Sequence, residues 1–315
     1  MSRMFPTPNF SRLANGARRL ILPALVLTSA ACDSNPTEPM RSPSAPRPSS
    51  AMTGALDPKG KILVTSSTPD NKLYLADPVT ANVDQLTFGP GSYQTGSWSA
   101  DFEKITFQKG LWGGLWTMNA DGSNETQVLA MGTRASVFSP DGKFIAFIAN
   151  VPYPQVHTVE LATGVVKQLT NLPGIGLRIS WSVDGKKLLF TKEDAAAIGN
   201  LFTMAPDGTG LKQITRCAKV YCNDGHFSPD GTQIAFVYGD RVATIGANGA
   251  NLKMVTGPKD PQPHWPSWSP DGKQLAYERY AGAYSHDIWV VDLASGAMKP
   301  VMTSRIDDTT PGWSR

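Results

Sequence analysis

Four histidines are the residues of this chain best suited to acid–base or metal chemistry, because an imidazole titrates near neutral pH and is a common metal ligand. Their positions in the sequence do not form a compact set of three ligands of the kind that zinc sites require. The sequence therefore predicts no metal and no cofactor. The histidines are His157, His226, His264 and His286.

Two arginines, Arg134 and Arg178, could bind a carboxylate or a phosphate through paired hydrogen bonds. They could instead form ion pairs with Asp224 or Asp308 inside the protein, and both interpretations stay open. Nucleophilic hydrolysis is not expected, because the sequence contains no Gly-x-Ser-x-Gly motif. The chemistry that remains is ligand binding, and its location depends on the elements that position these side chains.

An aromatic residue followed by serine recurs along the chain with spacings of 40, 43, 46, 41 and 45 residues. A period in the forties is typical of repeated structural units such as propeller blades. In the first five units an aspartate follows three positions after the aromatic residue, and in four of them glycine comes next. The aromatic residues are Trp98, Phe138, Trp181, Phe227, Trp268 and Trp313.

Each unit is predicted to contain four short β-strands. The sequence Ser-Pro-Asp-Gly at residues 139–142 is typical of a hairpin turn, so we interpret the recurring aspartates as turn formers. An apolar pair such as Ile145 and Phe147 follows each turn, and its spacing of two marks one face of a strand. A second strand pair ends in Gln-Leu-Thr or a similar sequence, as at residues 168–170.

The number of repeats predicts six blades in a closed ring. Residues 62–87 supply three strands of a first blade, and Trp313 lies in a single strand at the other end of the sequence. We expect this last strand to complete the first blade and to leave no open sheet edge. The predicted fold is all-β, a six-bladed β-propeller of four-stranded antiparallel blades over residues 58–315.

The repeat resembles that of TolB-type six-bladed propellers, which belong to a WD40-like superfamily. The resemblance is carried by Trp-Ser-Pro-Asp-Gly at residues 268–272, Leu-Ala-Tyr at 275–277, Ile-Trp-Val at 288–290 and Val-Met-Thr at 301–303. Related repeats occur in the propellers of the prolyl oligopeptidase and oligogalacturonate lyase families. The resemblance implies the fold, whereas adaptors, peptidases and lyases that share the repeat differ in function.

In a blade of strands A to D, the B-to-C loops and the D-to-A crossings lie on one face of the ring. In this sequence they are longer and more varied than the turns of the other face, and we expect residues just before the inner strands to meet at the channel mouth. Exposed Trp, Tyr and Arg around a concave opening are typical of binding surfaces. The predicted binding residues are Trp112, Tyr153, Trp265, Tyr280 and Tyr284 as apolar anchors, Arg134 and Arg178 as charge contacts, and Asp224 and His264 beside them.

These features predict a non-catalytic scaffold that binds a protein or peptide partner of the cell envelope at the channel-mouth face. The alternative is a polysaccharide lyase or hydrolase, similar to oligogalacturonate lyase, that acts at the mouth with His264, His226 and Arg178. Nucleic acid is not an expected partner, because residues 32–315 carry 25 basic and 26 acidic residues.

Residues 1–31 are predicted to be a secretory signal peptide, since basic residues precede an apolar run over residues 20–27 and then small residues. Cys32 follows these small residues and resembles the lipidated cysteine of a bacterial lipobox. Ser29 stands where a lipobox usually carries leucine, and the alternative is simple cleavage without a lipid.

Residues 32–57 are rich in proline and serine and are predicted to form an extended tether, because such a composition cannot bury a core. A lipid on Cys32 would make the chain an exported, membrane-anchored lipoprotein of the bacterial cell envelope. Cys217 and Cys222 are predicted to form a local disulfide in an oxidising compartment, and the alternative is two free thiols.

Overall fold

The computed structural model describes residues 59–66, 70–110, 113–150, 153–258, 262–282, 285–303 and 308–313. Within these ranges the chain forms β-strands and turns, and no helix is long and apolar enough to cross a membrane. The predicted signal peptide, the predicted tether, Cys32, Trp112 and Tyr284 lie outside the described residues.

The strands form six four-stranded antiparallel sheets, and each sheet is one blade whose strands A to D run outward from the channel. Blade 1 contains β24 (Asp308–Trp313), β1 (Ile62–Ser66), β2 (Lys72–Ala76) and β3 (Val83–Gln85); blade 2 contains β4 (Tyr93–Trp98), β5 (Lys104–Lys109), β6 (Gly114–Asn119) and β7 (Thr126–Leu129); blade 3 contains β8 (Thr133–Phe138), β9 (Phe144–Asn150), β10 (Pro154–Glu160) and β11 (Val166–Gln168).

The second half of the ring has the same strand order. Blade 4 contains β12 (Ile175–Trp181), β13 (Leu188–Glu193), β14 (Gly199–Met204) and β15 (Lys212–Gln213); blade 5 contains β16 (Cys222–Phe227), β17 (Gln233–Tyr238), β18 (Arg241–Gly246) and β19 (Lys253–Met254); blade 6 contains β20 (His264–Trp268), β21 (Gln274–Gly282), β22 (Ser285–Asp292) and β23 (Met298–Met302).

The ring is closed by the last strand, as the repeat count predicts. Strand β24 pairs with β1, with Trp313 opposite Ile62 and Gly312 opposite Leu63. It therefore takes the inner position of blade 1, and the A strands of neighbouring blades contact one another around the channel. The prediction of six blades with a shared first and last blade is confirmed.

The core consists of six apolar clusters, one between each pair of neighbouring blades. The apolar pairs that follow the turns, such as Ile145 with Phe147 and Leu188 with Phe190, are buried in these clusters. A blade packs on two neighbours because both faces of its sheet are apolar, and the closed ring buries every such face. Burial of apolar area between blades is the main stabilising contribution to this fold.

The recurring aspartates hold the A-to-B turns. In blade 3 the Asp141 carboxylate accepts hydrogen bonds from the Ser139 hydroxyl at 2.6 Å and the Lys143 backbone N–H at 3.1 Å. The Ser139 hydroxyl oxygen in turn accepts from the Phe144 backbone N–H at 2.9 Å. Equivalent Ser–Asp bonds of 2.5 to 2.7 Å occur in blades 2, 4, 5 and 6. The aspartates are therefore structural turn residues.

The fourth turn position requires a left-handed backbone, with φ of +68° at Gly142. Blade 2 has Phe102 at this position with φ of +62°. Its ring packs on Trp98 with 6.2 Å between ring centres. The turn of blade 2 keeps the Ser99–Asp101 hydrogen bond at 2.5 Å although it lacks glycine.

Candidate functional site

Each inner strand is bulged against its B strand near the channel mouth. In blade 5 the pairing shifts between Asn223 and His226, and in blade 6 it shifts between His264 and Ser267. Asp224 and Trp265 occupy these bulges with φ of +56° and +55°. A bulge re-aims side chains without ending the strand, which is why such features are common next to binding sites.

The predicted mouth residues therefore lie inside the inner strands and not, as expected, in the crossings before them. Arg134 lies in β8, Arg178 in β12, Asp224 in β16, and His264 and Trp265 in β20. The reason is that the bulges let pairing continue past these residues. Arg178, Asp224 and Trp265 each lie three residues before the repeat aromatic of their own strand. These aromatics are Trp181, Phe227 and Trp268. The equal spacing places the Arg178, Asp224 and Trp265 side chains at one level of the channel.

Arg178 reaches from blade 4 to blade 6. Its guanidinium carbon lies 5.2 Å from the ring centre of Trp265, in the geometry of a cation–π contact. Asp224 belongs to the intervening blade 5, and its carboxylate and that of Glu278 attract the guanidinium. Burial lowers the pKa of Arg178, and these carboxylates oppose that shift. An arginine stays charged in such a setting.

His264 and Asp224 form a second contact at the mouth, with 3.5 Å between His264 Nδ1 and Asp224 Oδ2. Asp224 is only 6% exposed. The nearby Asp224 carboxylate raises the pKa of His264 above its usual value, against the opposing effect of burial. The Asp224 carboxylate therefore favours the protonated, positively charged form of the His264 ring.

A third contact joins His286 Nε2 to Glu278 Oε1 at 3.6 Å. The His286 ring lies 6.4 Å from the His264 ring and 5.5 Å from the Tyr280 ring, measured between centres. We call the six residues in these contacts, together with Tyr280, the mouth cluster. Its members are Arg178, Asp224, His264, Trp265, Glu278, His286 and Tyr280.

The sequence from Tyr280 to Asp287 looks like a B-to-C loop, but in the structure its described residues are mostly paired strand. Strand β21 extends to Gly282 and β22 starts at Ser285, with Tyr280 paired with His286 and Arg279 with Asp287. The cross-strand contact of Tyr280 with His286 supports this longer hairpin. The hairpin carries His286 to the mouth cluster, where a sequence pattern alone does not place it.

His226 lies deeper in the channel than the mouth cluster. Burial, with a smaller effect of the Arg178 charge, lowers the pKa of His226 to about 3. Its imidazole is therefore neutral at physiological pH. Among the residues that the structure describes, no group of three or more His, Cys, Asp or Glu side chains is arranged to hold a metal ion.

Two further predicted residues lie on blade 3. Arg134 is half-buried in β8, and its carbonyl oxygen accepts a 2.8 Å hydrogen bond from the Thr95 hydroxyl of blade 2. Tyr153 directly precedes β10 and is 72% exposed. Sequence reasoning missed two other exposed apolar residues near the mouth, Leu177 and Tyr221. Tyr221 could have been found from its position between two cysteines.

The crossing from blade 4 to blade 5 is closed by a disulfide between Cys217 and Cys222, with 6.2 Å between their Cα atoms. Asn200 anchors this loop, because its side chain accepts from the Cys217 N–H at 2.7 Å and donates to the Cys217 carbonyl at 3.2 Å. Cys222 is the first residue of β16, two positions before Asp224. The loop therefore positions the strand that carries Asp224.

Comparison with known proteins identifies the repeat. A family profile described as the TolB beta propeller domain matches residues 133–314. An uncharacterized protein of Agrobacterium fabrum is 27% identical over 161 residues, which cover 45% of this chain and 53% of that protein. The match thus spans about half the length of this relative.

Solved structures share the fold. The crystal structure of TolB from Acinetobacter baumannii matches with a TM-score of 0.69 and 22% identity, over 83% of this chain and 68% of that chain. An oligogalacturonate lyase from Vibrio parahaemolyticus matches with a TM-score of 0.56 and 16% identity, over 78% of this chain and 75% of that chain. At these identities the likeness concerns the fold alone.

Proposed function

Because the chain belongs to the TolB beta propeller domain family, we propose that it is a non-catalytic scaffold that binds a protein or peptide partner of the cell envelope at its channel mouth. The observation that carries the proposal is the contact of Arg178 with Trp265 across blade 5. It presents an aromatic ring and a cation side by side on a rigid ring of strands. Trp, Tyr and Arg are the residues that most often dominate binding energy at protein interfaces.

The surroundings of this contact fit the anatomy of an interface. Tyr153, Leu177 and Tyr221 are exposed apolar side chains on the same face, next to crossings and B-to-C connections of blades 3 to 5. In the proposal they form the apolar contacts with Tyr280, and Trp112 and Tyr284, which lie outside the described residues, stay predicted apolar anchors. Arg134 and the mouth cluster supply the charge contacts and fix the orientation of the partner.

The proposal includes export and a lipid on Cys32, with residues 32–57 as the tether. A lipid would keep the propeller near a membrane and raise its effective concentration for an envelope partner. Metabolic labelling with a palmitate analogue tests this part. We expect label on the native chain and none on Cys32→Ala; equal labelling of both would contradict a lipid at this position.

Site-specific photo-crosslinking in intact cells tests the binding face. We place a photoreactive amino acid at Tyr153 or Tyr280 on the mouth face, and at Lys186 in the turn between β12 and β13 on the opposite face. We expect a discrete crosslinked partner from the first two positions only. Arg178→Glu with Trp265→Ala should reduce the yield about tenfold or more, by loss of a cation–π and charge contact.

The matched control for the double variant is Lys186→Glu, because the Lys186 side chain is 80% exposed and lies on the other face. It should leave the crosslink unchanged. An equal yield from Lys186 and the mouth positions, or an unchanged yield in the double variant, would show that the mouth is not the binding face.

A lyase or hydrolase activity is the second candidate. It is favoured by the two histidine–carboxylate contacts of the mouth cluster, since such pairs can serve as general acids and bases. The likeness to an oligogalacturonate lyase adds only the fold. A lyase acting on acidic glycans forms unsaturated ends that absorb ultraviolet light, and His264→Ala should abolish this signal. No absorbance with any acidic glycan would exclude the lyase form of this candidate.

A further inference from the structure

A cavity of about 230 Å³ opens at the end of the channel opposite the mouth cluster. Its rim is formed by the A-to-B turns, including Pro140, Val183 and Pro229. All six repeat aromatics lie in its wall, one from each blade. They are Trp98, Phe138, Trp181, Phe227, Trp268 and Trp313.

The inner end of the cavity is polar but carries no charged side chain. His226 and the hydroxyl residues Ser97, Ser180 and Ser267 lie there. None of the described lining residues is Asp, Glu, Lys or Arg, and His226 is neutral because its pKa lies near 3. A charged ligand would lose its hydration here and would find no ionic partner among the described lining residues, so the cavity selects against charge.

Two polar atoms of the lining are buried without a hydrogen-bond partner among the described residues. They are Trp313 Nε1 and His226 Nδ1. Three other wall tryptophans donate their indole N–H to a carbonyl of the neighbouring blade, at 3.0 to 3.3 Å. Trp313, which is 9% exposed, differs from them although it holds the same repeat position. Buried polar atoms usually have partners, so these two are candidate ligand contacts.

We propose that this cavity binds a small uncharged molecule made of an apolar ring with one hydroxyl or carbonyl group. The ring lies among the wall aromatics, and the polar group lies at the inner end, where Trp313 Nε1–H donates to its oxygen. A hydroxyl group also donates to His226 Nδ1. The volume corresponds to about seven or eight waters of liquid, which suits one six-membered ring with small substituents.

This site is separate from the mouth and does not depend on the proposed partner. Along the inner strands, the wall aromatics lie three residues beyond the level of Arg178. Three residues of strand span about 10 Å, which separates the cavity from the mouth. Gly312→Val in the cavity should therefore leave partner binding at the mouth unchanged.

Three probes test the chemistry: p-cresol, toluene, which lacks the hydroxyl, and 4-hydroxybenzoate, which adds a charge. Binding to the purified protein is followed by the ¹H–¹⁵N signals of the tryptophan indole groups, with the Trp313 signal assigned from Trp313→Phe. We expect saturable shifts of the Trp313 signal with p-cresol. Toluene should bind about three- to tenfold more weakly, by loss of one or two hydrogen bonds, and the benzoate at least about tenfold more weakly.

Gly312→Val tests the location, because Gly312 lines the cavity and a Cβ there meets its nearest atoms only at 3.9 Å. The valine should occupy part of the cavity and weaken p-cresol binding about tenfold or more. Gly257→Val is the matched control, since a Cβ on this exposed glycine meets nothing within 4 Å. His226→Phe keeps a ring of similar size and should weaken p-cresol but not toluene.

The outcomes separate clearly. Saturable binding that Gly312→Val removes and Gly257→Val keeps supports the site. Absence of saturable binding, equal affinity of Gly312→Val and the native protein, or equal affinity for p-cresol and 4-hydroxybenzoate overturns the proposal. Unfolding midpoints of both glycine variants close to that of the native protein show that the loss is local.

Discussion

Trp268 donates its indole N–H to the backbone carbonyl oxygen of His226 at 3.0 Å, and this bond joins blade 6 to blade 5 at the channel wall. Trp98 bonds in the same way to Gly312, and Trp181 to Val137. In each case the acceptor directly precedes the repeat aromatic of the neighbouring blade. The repeat tryptophan therefore fixes the contact between neighbouring blades as well as the packing within its own.

This bond predicts a specific stability difference. Trp268→Phe removes the donor and part of the ring and leaves a buried carbonyl without its partner. It should lower the free energy of unfolding by about 1–3 kcal/mol more than Trp313→Phe, which makes the same change where the indole N–H has no partner among the described residues. Denaturant unfolding of both variants measures the difference. Equal losses would show that ring volume, not the bond, determines the effect.

The turn aspartates predict an acid-sensitive fold. Bonds from Ser139 and Ser228 lower the pKa of Asp141 and Asp230, and the equivalent serines do so in three other turns. A carboxylate whose pKa is lower in the folded protein than in the unfolded chain stabilises the fold at pH values above its unfolded pKa, near 3.8. This contribution is lost as the pH falls through the folded pKa. The free energy of unfolding should therefore decrease below about pH 4.

The double variant Asp141→Asn and Asp230→Asn is the control for this interpretation. The variant should be less stable than the native protein at pH 6. Its free energy of unfolding should fall less steeply between about pH 5 and pH 3, where carboxylates titrate. Denaturant unfolding at each pH measures this slope. An unchanged slope would assign the acid sensitivity to other groups.

The contact of His264 with Asp224 predicts a separable titration. The pKa of His264 should lie above 6.5 in the native protein and should fall in Asp224→Asn, because the carboxylate favours the charged ring. Protonated His264 then stabilises the fold below its unfolded pKa, and the contribution is lost as pH rises through the folded pKa. NMR titration of the ring protons measures both values.

His226 serves as the internal reference in the same spectra. Its pKa near 3 means that its ring signals should not move between pH 5 and pH 8. A His226 titration in that range would contradict its burial beside Arg178. An unchanged His264 pKa in Asp224→Asn would contradict the contact at the mouth.

The disulfide of Cys217 with Cys222 predicts a modest loss of stability on removal. Closing a loop of this length should contribute about 2 kcal/mol by restricting the unfolded chain. Cys217→Ser with Cys222→Ser should lower the free energy of unfolding by about this amount. Because Cys222 begins the strand that carries Asp224, the variant should also lower the pKa of His264 towards its usual value. Reductant should have no further effect on the variant.

The fold was predictable because its signals are local and repeated. Each aromatic–serine unit specifies a turn through a hydrogen bond between its serine and its aspartate, as between Ser139 and Asp141. The apolar residues two positions apart after the turn mark the buried face of a strand. Repetition removes the ambiguity of a single short strand, and the unpaired Trp313 strand required a closed ring. Even Phe102, which breaks the turn pattern, leaves the unit recognisable.

The site was predictable only as a set of residue types on one face. Arg178, Asp224, His264 and Trp265 were expected just before neighbouring inner strands and lie within them, and their mutual contacts depend on bulges that no local pattern encodes. Glu278 was not predicted, and His286 was named only as a candidate for acid–base or metal chemistry, because the sequence does not reveal the hairpin that joins them.

The sequence by itself determined the number of blades, the turn chemistry and the closure of the ring, because these follow from the period and from contacts between residues close in the chain. Only the tertiary structure decided that Arg178 stacks on Trp265 across an intervening blade, and that Trp313 alone of the wall tryptophans has an indole N–H without a partner among the described residues. Both depend on the curvature of the whole ring and on backbone bulges, which set distances between residues far apart in sequence.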